Sequence, residues 1–317
     1  SAYVASSGAG RVADAQSRMN EDAQAALSTL SQQIRLAGSN PVQASRALAD
    51  SKRSYVYPFR RNPVYSFTYA GGTSTAYIPL PYTVTLPTFS PSTYTLSGFA
   101  MRGCDGAFSN ITAANTLDDL TCGGTSTLPD SIAVSYESDR YNSVSVNSRP
   151  SDCLGQTLPI AATVTSASTN IPNGTTITVA DNRFYIANQP SPTVPSLYCK
   201  GNGNTVPQPL VENVEDMQIT YGVVSTTDTS EQSTIAGYLT AHGVETETSL
   251  AALANSVRWG RVLSVRICIV VRSETPVAPD ADSAKYYKCD GTLDSTKTDL
   301  RLRRAYSTTV VLRNRRS

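Results

Sequence analysis

The chain has 317 residues, 40% of them hydrophobic, enough to bury a sizeable core in one large domain or two ordinary ones. Charged residues supply only 16%, against roughly 25% in an average soluble protein, so Ser, Thr, Asn and Tyr carry the polar surface, as in exported β-rich proteins. A net charge of +1 excludes a global attraction to nucleic acid or to an anionic membrane, so any electrostatic function is local.

The first element in chain order is a helix. Val12, Ala15, Met19, Ala23, Leu27, Leu30, Ile34 and Ala37 recur at three- and four-residue steps, with Asp14, Arg18, Glu21, Asp22 and Arg35 on the polar faces. Gly38 and Pro41 end it. No stretch approaches the roughly 20 apolar residues needed to cross a bilayer. A chain that opens on Ser1 with no initiator Met is expected to be processed or truncated.

Beyond Pro41 the sequence becomes a series of short strand candidates separated by Pro, Gly and Asn. Ser39 to Arg61 reads as an irregular connection exposing Arg53, Arg60 and Arg61. Tyr65–Tyr69 and Ile132–Tyr136 alternate in the manner of half-buried antiparallel strands, and Thr175 to Ile186 has the length of a hairpin. Pro79 to Pro91 and Gln189 to Pro195 are too Pro-rich for central strands. With no internal repeat and no low-complexity linker, one α+β domain is the expected organisation.

The six cysteines form no CxxC pair and have no neighbouring histidines, which argues against zinc and for disulfides in an oxidising compartment. Fifteen pairings exist in principle. Order along the chain favours Cys104 with Cys122, Cys153 with Cys199, and Cys268 with Cys289. Each such closure is expected to stabilise the fold by about 3 kcal/mol.

Catalytic chemistry finds little support. The sole histidine, His242, lies in a polar insertion without a Gly-x-Ser-x-Gly elsewhere, and reads as a surface residue. Glu212, Glu215 and Asp216 are the best-placed carboxylates, but they precede a strand, where capping amides or pairing with arginines of neighbouring strands is the plainer role. Gly8-Ala9-Gly10 and Gly201-Asn202-Gly203 lack the lysine of a phosphate loop. Asp280, Asp282, Asp290 and Asp294 form an acidic region open to calcium, although their spacing is not that of an EF-hand and solvated turns explain it as well. No cofactor is expected.

Three strand-like runs close the chain. Leu210 to Val223 reads Leu-Val-Glu-Asn-Val-Glu-Asp-Met-Gln-Ile-Thr-Tyr-Gly-Val. Trp259 to Arg272 is centred on Val262–Val271, and Leu300 to Arg315 reads Leu-Arg-Leu-Arg-Arg-Ala-Tyr-Ser-Thr-Thr-Val-Val-Leu-Arg-Asn-Arg. These three blocks, in this order behind an amphipathic helix, resemble the PilW family of type IV pilus minor pilins. The resemblance implies an α+β pilin-like fold: an N-terminal amphipathic helix packed on antiparallel sheets and stapled by disulfides. Residues 1–38 would be the C-terminal half of the pilin helix, its apolar membrane-anchoring half missing, and residues 39–317 a β-rich head.

The function implied is co-assembly into a tip complex that primes type IV pilus growth and displays a tip adhesin. Partners would be other minor pilins, the major pilin and that large adhesin. The protein would sit in the bacterial inner membrane with a periplasmic head before assembly, and at the extracellular pilus tip after it. Met19, Leu27, Leu30 and Ile34 on the helix, and Arg313, Arg315 and Arg316 at the C-terminus, are the candidate partner contacts. Together with Arg301, Arg303 and Arg304, the C-terminal arginines also admit DNA or phosphate, an edge strand kept soluble by charge, or a basic stripe that docks onto an acidic partner. Two further readings stand beside this one: a minor pseudopilin of a type II secretion system, and an exported glycan- or adhesin-type binding domain using Tyr55, Tyr57, Phe59 and Tyr65.

Overall fold

The computed structural model describes residues 2–39, 65–69, 72–76, 88–90, 99–123, 127–139, 141–166, 176–204, 206–224, 234–248 and 254–312. Its elements begin with α1 (Ala2–Leu36), β1 (Tyr65–Tyr69), β2 (Gly72–Ala76), β3 (Thr88–Ser90), β4 (Met101–Cys104) and β5 (Ser131–Glu137). The short pair β6 (Ser145–Val146) and β7 (Arg149–Pro150) precedes β8 (Ile160–Ser166), β9 (Thr176–Asn188), β10 (Pro195–Lys200) and β11 (Gln208–Glu212). Then come β12 (Val214–Val224), β13 (Ile235–Leu239), α2 (Ala241–Thr246), α3 (Asn255–Gly260) and β14 (Val262–Arg272). A small hairpin of β15 (Tyr286–Tyr287) and β16 (Leu293–Asp294) leads to β17 (Arg303–Val311).

The strands build two main antiparallel sheets. The larger runs β11-β10-β9-β5-β4, with β8 on β9 and β3 on β8, and the smaller runs β13-β12-β14-β17. β12 packs against β9 and β10, joining the sheets, and α1 lies against β5, β11, β14 and β17, so the helix covers both. Met19, Ala23, Ala26, Leu30 and Ile34 enter one apolar cluster with Ile132, Val134, Phe184, Leu197, Met217, Ile219, Val265, Ile267 and Ile269. Burying each large aliphatic side chain there stabilises the fold by about 1.5–3 kcal/mol. The α+β class, the helix on antiparallel sheets and the disulfide staples are therefore as the sequence implies.

The helix ends where Gly38 takes a left-handed φ of 68°, and its N–H donates to Ser135 of β5 at 2.9 Å. Gln33, an apparently ordinary polar residue, holds the helix to the large sheet: its Oε1 accepts from Tyr136 Oη at 3.2 Å and Asn182 Nδ2 at 2.8 Å.

Several expectations are corrected. Thr175 to Ile186 forms no hairpin: Thr176–Asn188 is one strand of 13 residues, long because it serves β10, β5 and β8 in turn. The run from Leu210 to Val223 is not continuous, since Asn213, with φ of 63°, breaks it into β11 of the large sheet and β12 of the small one. Trp259 belongs to α3 and not to the strand after it; its ring stands edge-on to Tyr221 with centroids 4.7 Å apart. Ile132–Tyr136 lies in β5, but every residue of β5 is buried, because α1 covers one face and the strand is interior to its sheet. The connection from Asn40 to Arg61 lies outside the described residues.

Candidate functional site

Disulfides fix the loops that frame the sheets. Cys104 is joined to Cys122, Cys153 to Cys199, and Cys268 to Cys289. The last ties β14 to the loop carrying β15 and β16, which packs over the start of β17.

That end of the small sheet holds the strongest electrostatic constellation among the described residues. Arg303, its side chain only 2% exposed, donates from Nε to Glu215 Oε2 at 2.6 Å and from Nη2 to Asp299 Oδ2 at 2.7 Å. Arg272 approaches Glu215 Oε1 at 3.4 Å, and Arg301 donates to the Ser273 carbonyl at 2.8 Å. The Arg303 hydrogen bonds hold Asp299 down to about 2. Arg301 and Arg303 are thus committed to internal partners and form no free basic stripe. Arg304 is exposed, its guanidinium 5.9 Å from the Tyr306 ring. Arg313, Arg315 and Arg316 lie outside the described residues.

The carboxylates singled out by sequence are structural. Glu215 pairs with arginines of neighbouring strands, Asp216 accepts the Met217 N–H at 2.8 Å, and Glu212 accepts Gln189 Nε2 at 2.9 Å. His242 is exposed on α2, where its N–H and that of Ala241 donate to the Asp105 carboxylate at 3.2 and 2.7 Å. Asp280, Asp290 and Asp294 accept the backbone N–H of Ser283, Thr292 and Thr296, each at 2.8 Å, and Asp282 pairs with Lys285 at 2.7 Å. These are turn-forming contacts; among the described residues no group of three His, Cys, Asp or Glu is placed to hold a metal ion.

Asp130 was not legible as a site. It is buried at the entry to β5, where Oδ2 accepts the Ile219 N–H at 2.7 Å and Oδ1 the Gly106 N–H at 3.0 Å, so it clasps one sheet to the other. Burial pushes its carboxyl up to about 7, against the opposing pull of those two amides. The only signal in sequence is an acid placed directly ahead of an apolar strand.

Of the helix contacts expected to meet a partner, Met19, Leu30 and Ile34 are buried beneath α1 in the protein's own core, so they are not available to one. Their apolar stripe satisfies the sheets of this chain. Leu27 is half-buried on the flank of the helix that also carries Asn20, whose Oδ1 accepts from Tyr306 Oη of β17 at 2.7 Å. On the opposite flank a groove of about 560 Å³ runs between α1 and β11, with Asp14, Asp22, Glu212 and Glu274 facing Arg18 and Arg272. Burial and neighbouring carboxylates raise Asp22 above its usual range. Tyr55, Tyr57 and Phe59 lie outside the described residues, and so does the side chain of Tyr65. Among the described residues no helix is long and apolar enough to cross a membrane.

The arrangement defines a disulfide-stapled scaffold in which one helix spans two antiparallel sheets. Residues 183–314 match the family described as Type IV Pilus-assembly protein W, PilW, a stretch that takes in β12, β14 and β17. The match links the chain to type IV pilus assembly. Among solved structures, a type IV-like pilin from Thermus thermophilus is similar at 11% identity and a TM-score of 0.25, over 59% of this chain and 78% of that one. No curated protein matches the chain.

Proposed function

We propose that this protein is a non-catalytic minor pilin that joins other minor pilins in a complex at the type IV pilus tip, primes fibre growth and supports a large tip adhesin. The observation that carries this reading is the match of residues 183–314 to the PilW family, which spans the three strand blocks behind α1. Residues 1–38 act as the lower half of a pilin helix and residues 39–317 as the head. The subunit is held in the inner membrane with its head in the periplasm until it enters the fibre, where it meets the major pilin.

The physics of such a role is association. A membrane anchor concentrates subunits in two dimensions, and the heads then need about 1,200–2,000 Å² of total buried surface to hold one another specifically. Leu27 on the helix flank and the arginines Arg313, Arg315 and Arg316 are the contacts assigned to that task. The test is mass spectrometry of the N-terminus of the native protein from membranes or sheared pili. A methylated N-terminal residue followed by about 20 apolar residues leading into Ser1 is the expected result. A conventional cleaved signal peptide with no retained anchor would overturn the reading and make this a free exported domain.

A further inference from the structure

We propose that Arg266, on the outer face of the small sheet, is the anchor to which another protein docks an acidic side chain. Along β14, Val265, Ile267 and Ile269 enter the core that α1 covers, so the alternation of a strand turns Arg266 to the opposite face, where it is exposed. The register sets Thr220 of β12 on one side of it and Thr309 of β17 on the other. In the next row Gln218 and Ser307 flank Cys268 in the same way. Thr309 and Ser307 are exposed and Thr220 and Gln218 half-buried, so the ground around Arg266 is built of hydroxyls and an amide.

The guanidinium is set in place before any partner arrives. Its Cζ stands 3.5 Å from the centroid of the Tyr238 ring on β13. Tyr238 is held in turn by a hydrogen bond between its Oη and Ser264 Oγ at 2.9 Å. Gly222, the register partner of both Tyr238 and Ser264, leaves room for that ring, since a Cβ there would lie 3.1 Å from Tyr238 Cε1. A guanidinium stacked by its face keeps its in-plane fork of N–H donors for a second group, and holding it there beforehand cuts the side-chain entropy lost when that group binds.

Charge and shape decide the kind of partner. Among the described residues Arg266 makes no ion pair, whereas Arg272 and Arg303, further along the same face, are compensated by Glu215 and Asp299. The acids beside it are committed elsewhere. Asp216, four residues or about 13 Å along β12 from Thr220, accepts the Met217 N–H and Gln218 Nε2. Asp290, brought toward the sheet by the Cys268–Cys289 bridge, accepts from Thr292 and lies 3.8 Å from Lys288 Nζ. One uncompensated guanidinium fork matches one carboxylate, while nucleic acid and anionic lipid are held by many cations at once. A second copy laid face to face would set Arg266 toward Arg266 with no described carboxylate between them. The ground is pleated sheet and lacks the concavity that encloses a small ligand, which suits the surface of another protein, where a stacked Arg is a common anchor. This inference deepens the pilus reading by naming a surface on which another subunit docks, and rests on that reading only for where such a subunit comes from.

The experiment follows the Arg266 Nε–H and the Thr220 and Thr309 amide resonances of the full chain by NMR while acetyl-Glu-amide, acetyl-Gln-amide or inorganic phosphate is added at constant ionic strength. The Glu compound should move these resonances saturably and bind about fivefold tighter than the Gln one, the upper range for an exposed ion pair. Tyr238→Leu, which removes the stacking platform and leaves the charge, should weaken the Glu compound about threefold. Arg266→Lys, read on the two Thr amides, should narrow the preference for Glu to about twofold, and keeps the test open if Tyr238→Leu does not fold. Equal binding of the Glu and Gln compounds, no binding of either, or an Arg266→Lys protein with the parent's preference would overturn the proposal. Phosphate binding tighter than the Glu compound would overturn it in favour of a phosphate ligand, and a dimer in solution that Arg266→Glu dissolves, in favour of a second copy. An Arg266 resonance displaced by Asp228→Asn with Glu231→Gln, both outside the described residues, would overturn it in favour of a carboxylate of this chain. None of these outcomes bears on the N-terminal chemistry that tests the pilin assignment.

Discussion

Two carboxylates set opposite pH responses. Asp130 titrates at about 7 in the fold against 3.8 when unperturbed, so its contribution to stability is full below about pH 4 and is lost as pH rises through 7. Asp299, held at about 2, works the other way: its contribution is present above about pH 4 and is lost as pH falls toward 2. Asp130→Asn should remove the decline in melting temperature between pH 4 and 7, even though its amide, aimed at one N–H donor, lowers stability overall; an unchanged decline would refute the assignment. Glu215→Gln leaves the nearly buried Arg303 guanidinium short of charge compensation and should cost about 3 kcal/mol by urea unfolding. These contacts were only partly legible in sequence. The sequence offered arginines of neighbouring strands as partners for Glu215 but set it ahead of a strand, whereas it lies inside β12; Asp130 and Gln33 gain their roles from partners 89 and 149 residues away, which no local pattern encodes.

Among the elements, α1 was the most legible, because a three-and-four apolar rhythm survives whatever the helix packs on. What the rhythm could not say is which surface claims the stripe. Read alone, Met19, Leu30 and Ile34 suit a partner as well as an internal sheet, and only the fold shows them enclosed. Leu30→Ala should cost about 2–5 kcal/mol in chemical denaturation, with the helix loosening from both sheets together. The strands were less legible at their boundaries, for a physical reason at each. Asn213 breaks a continuous β-rich run by adopting a left-handed φ, which Asn tolerates. The long β9 has the length of a hairpin, but its central Asp181 and Asn182 are held extended by buried contacts with Arg183 and with Gln33 of α1, which lies far away in sequence. In the small sheet, replacing Cys268 and Cys289 together by Ser should lower stability by about 3 kcal/mol, read as a shift in urea midpoint, since the bridge closes a 21-residue separation.

At the scale of the whole molecule, the described sheets are held together by internal pairs such as Arg303 with Glu215 and Asp130 with the amides of Gly106 and Ile219. The crosslinks have a mechanical meaning as well. A chain tugged from its two ends lengthens by letting out contour as its strands peel apart, and about 3.3–3.6 Å is released for every residue freed. The Cys153–Cys199 bridge withholds a separation of 46 residues from that process, roughly 150 Å of slack that no pulling force can draw out while the sulfurs stay joined. β9 and all but the last residue of β10, at the heart of the large sheet, sit inside this short-circuited stretch, so tension bypasses their backbone and that part of the sheet keeps its contour while the chain outside the bridges extends.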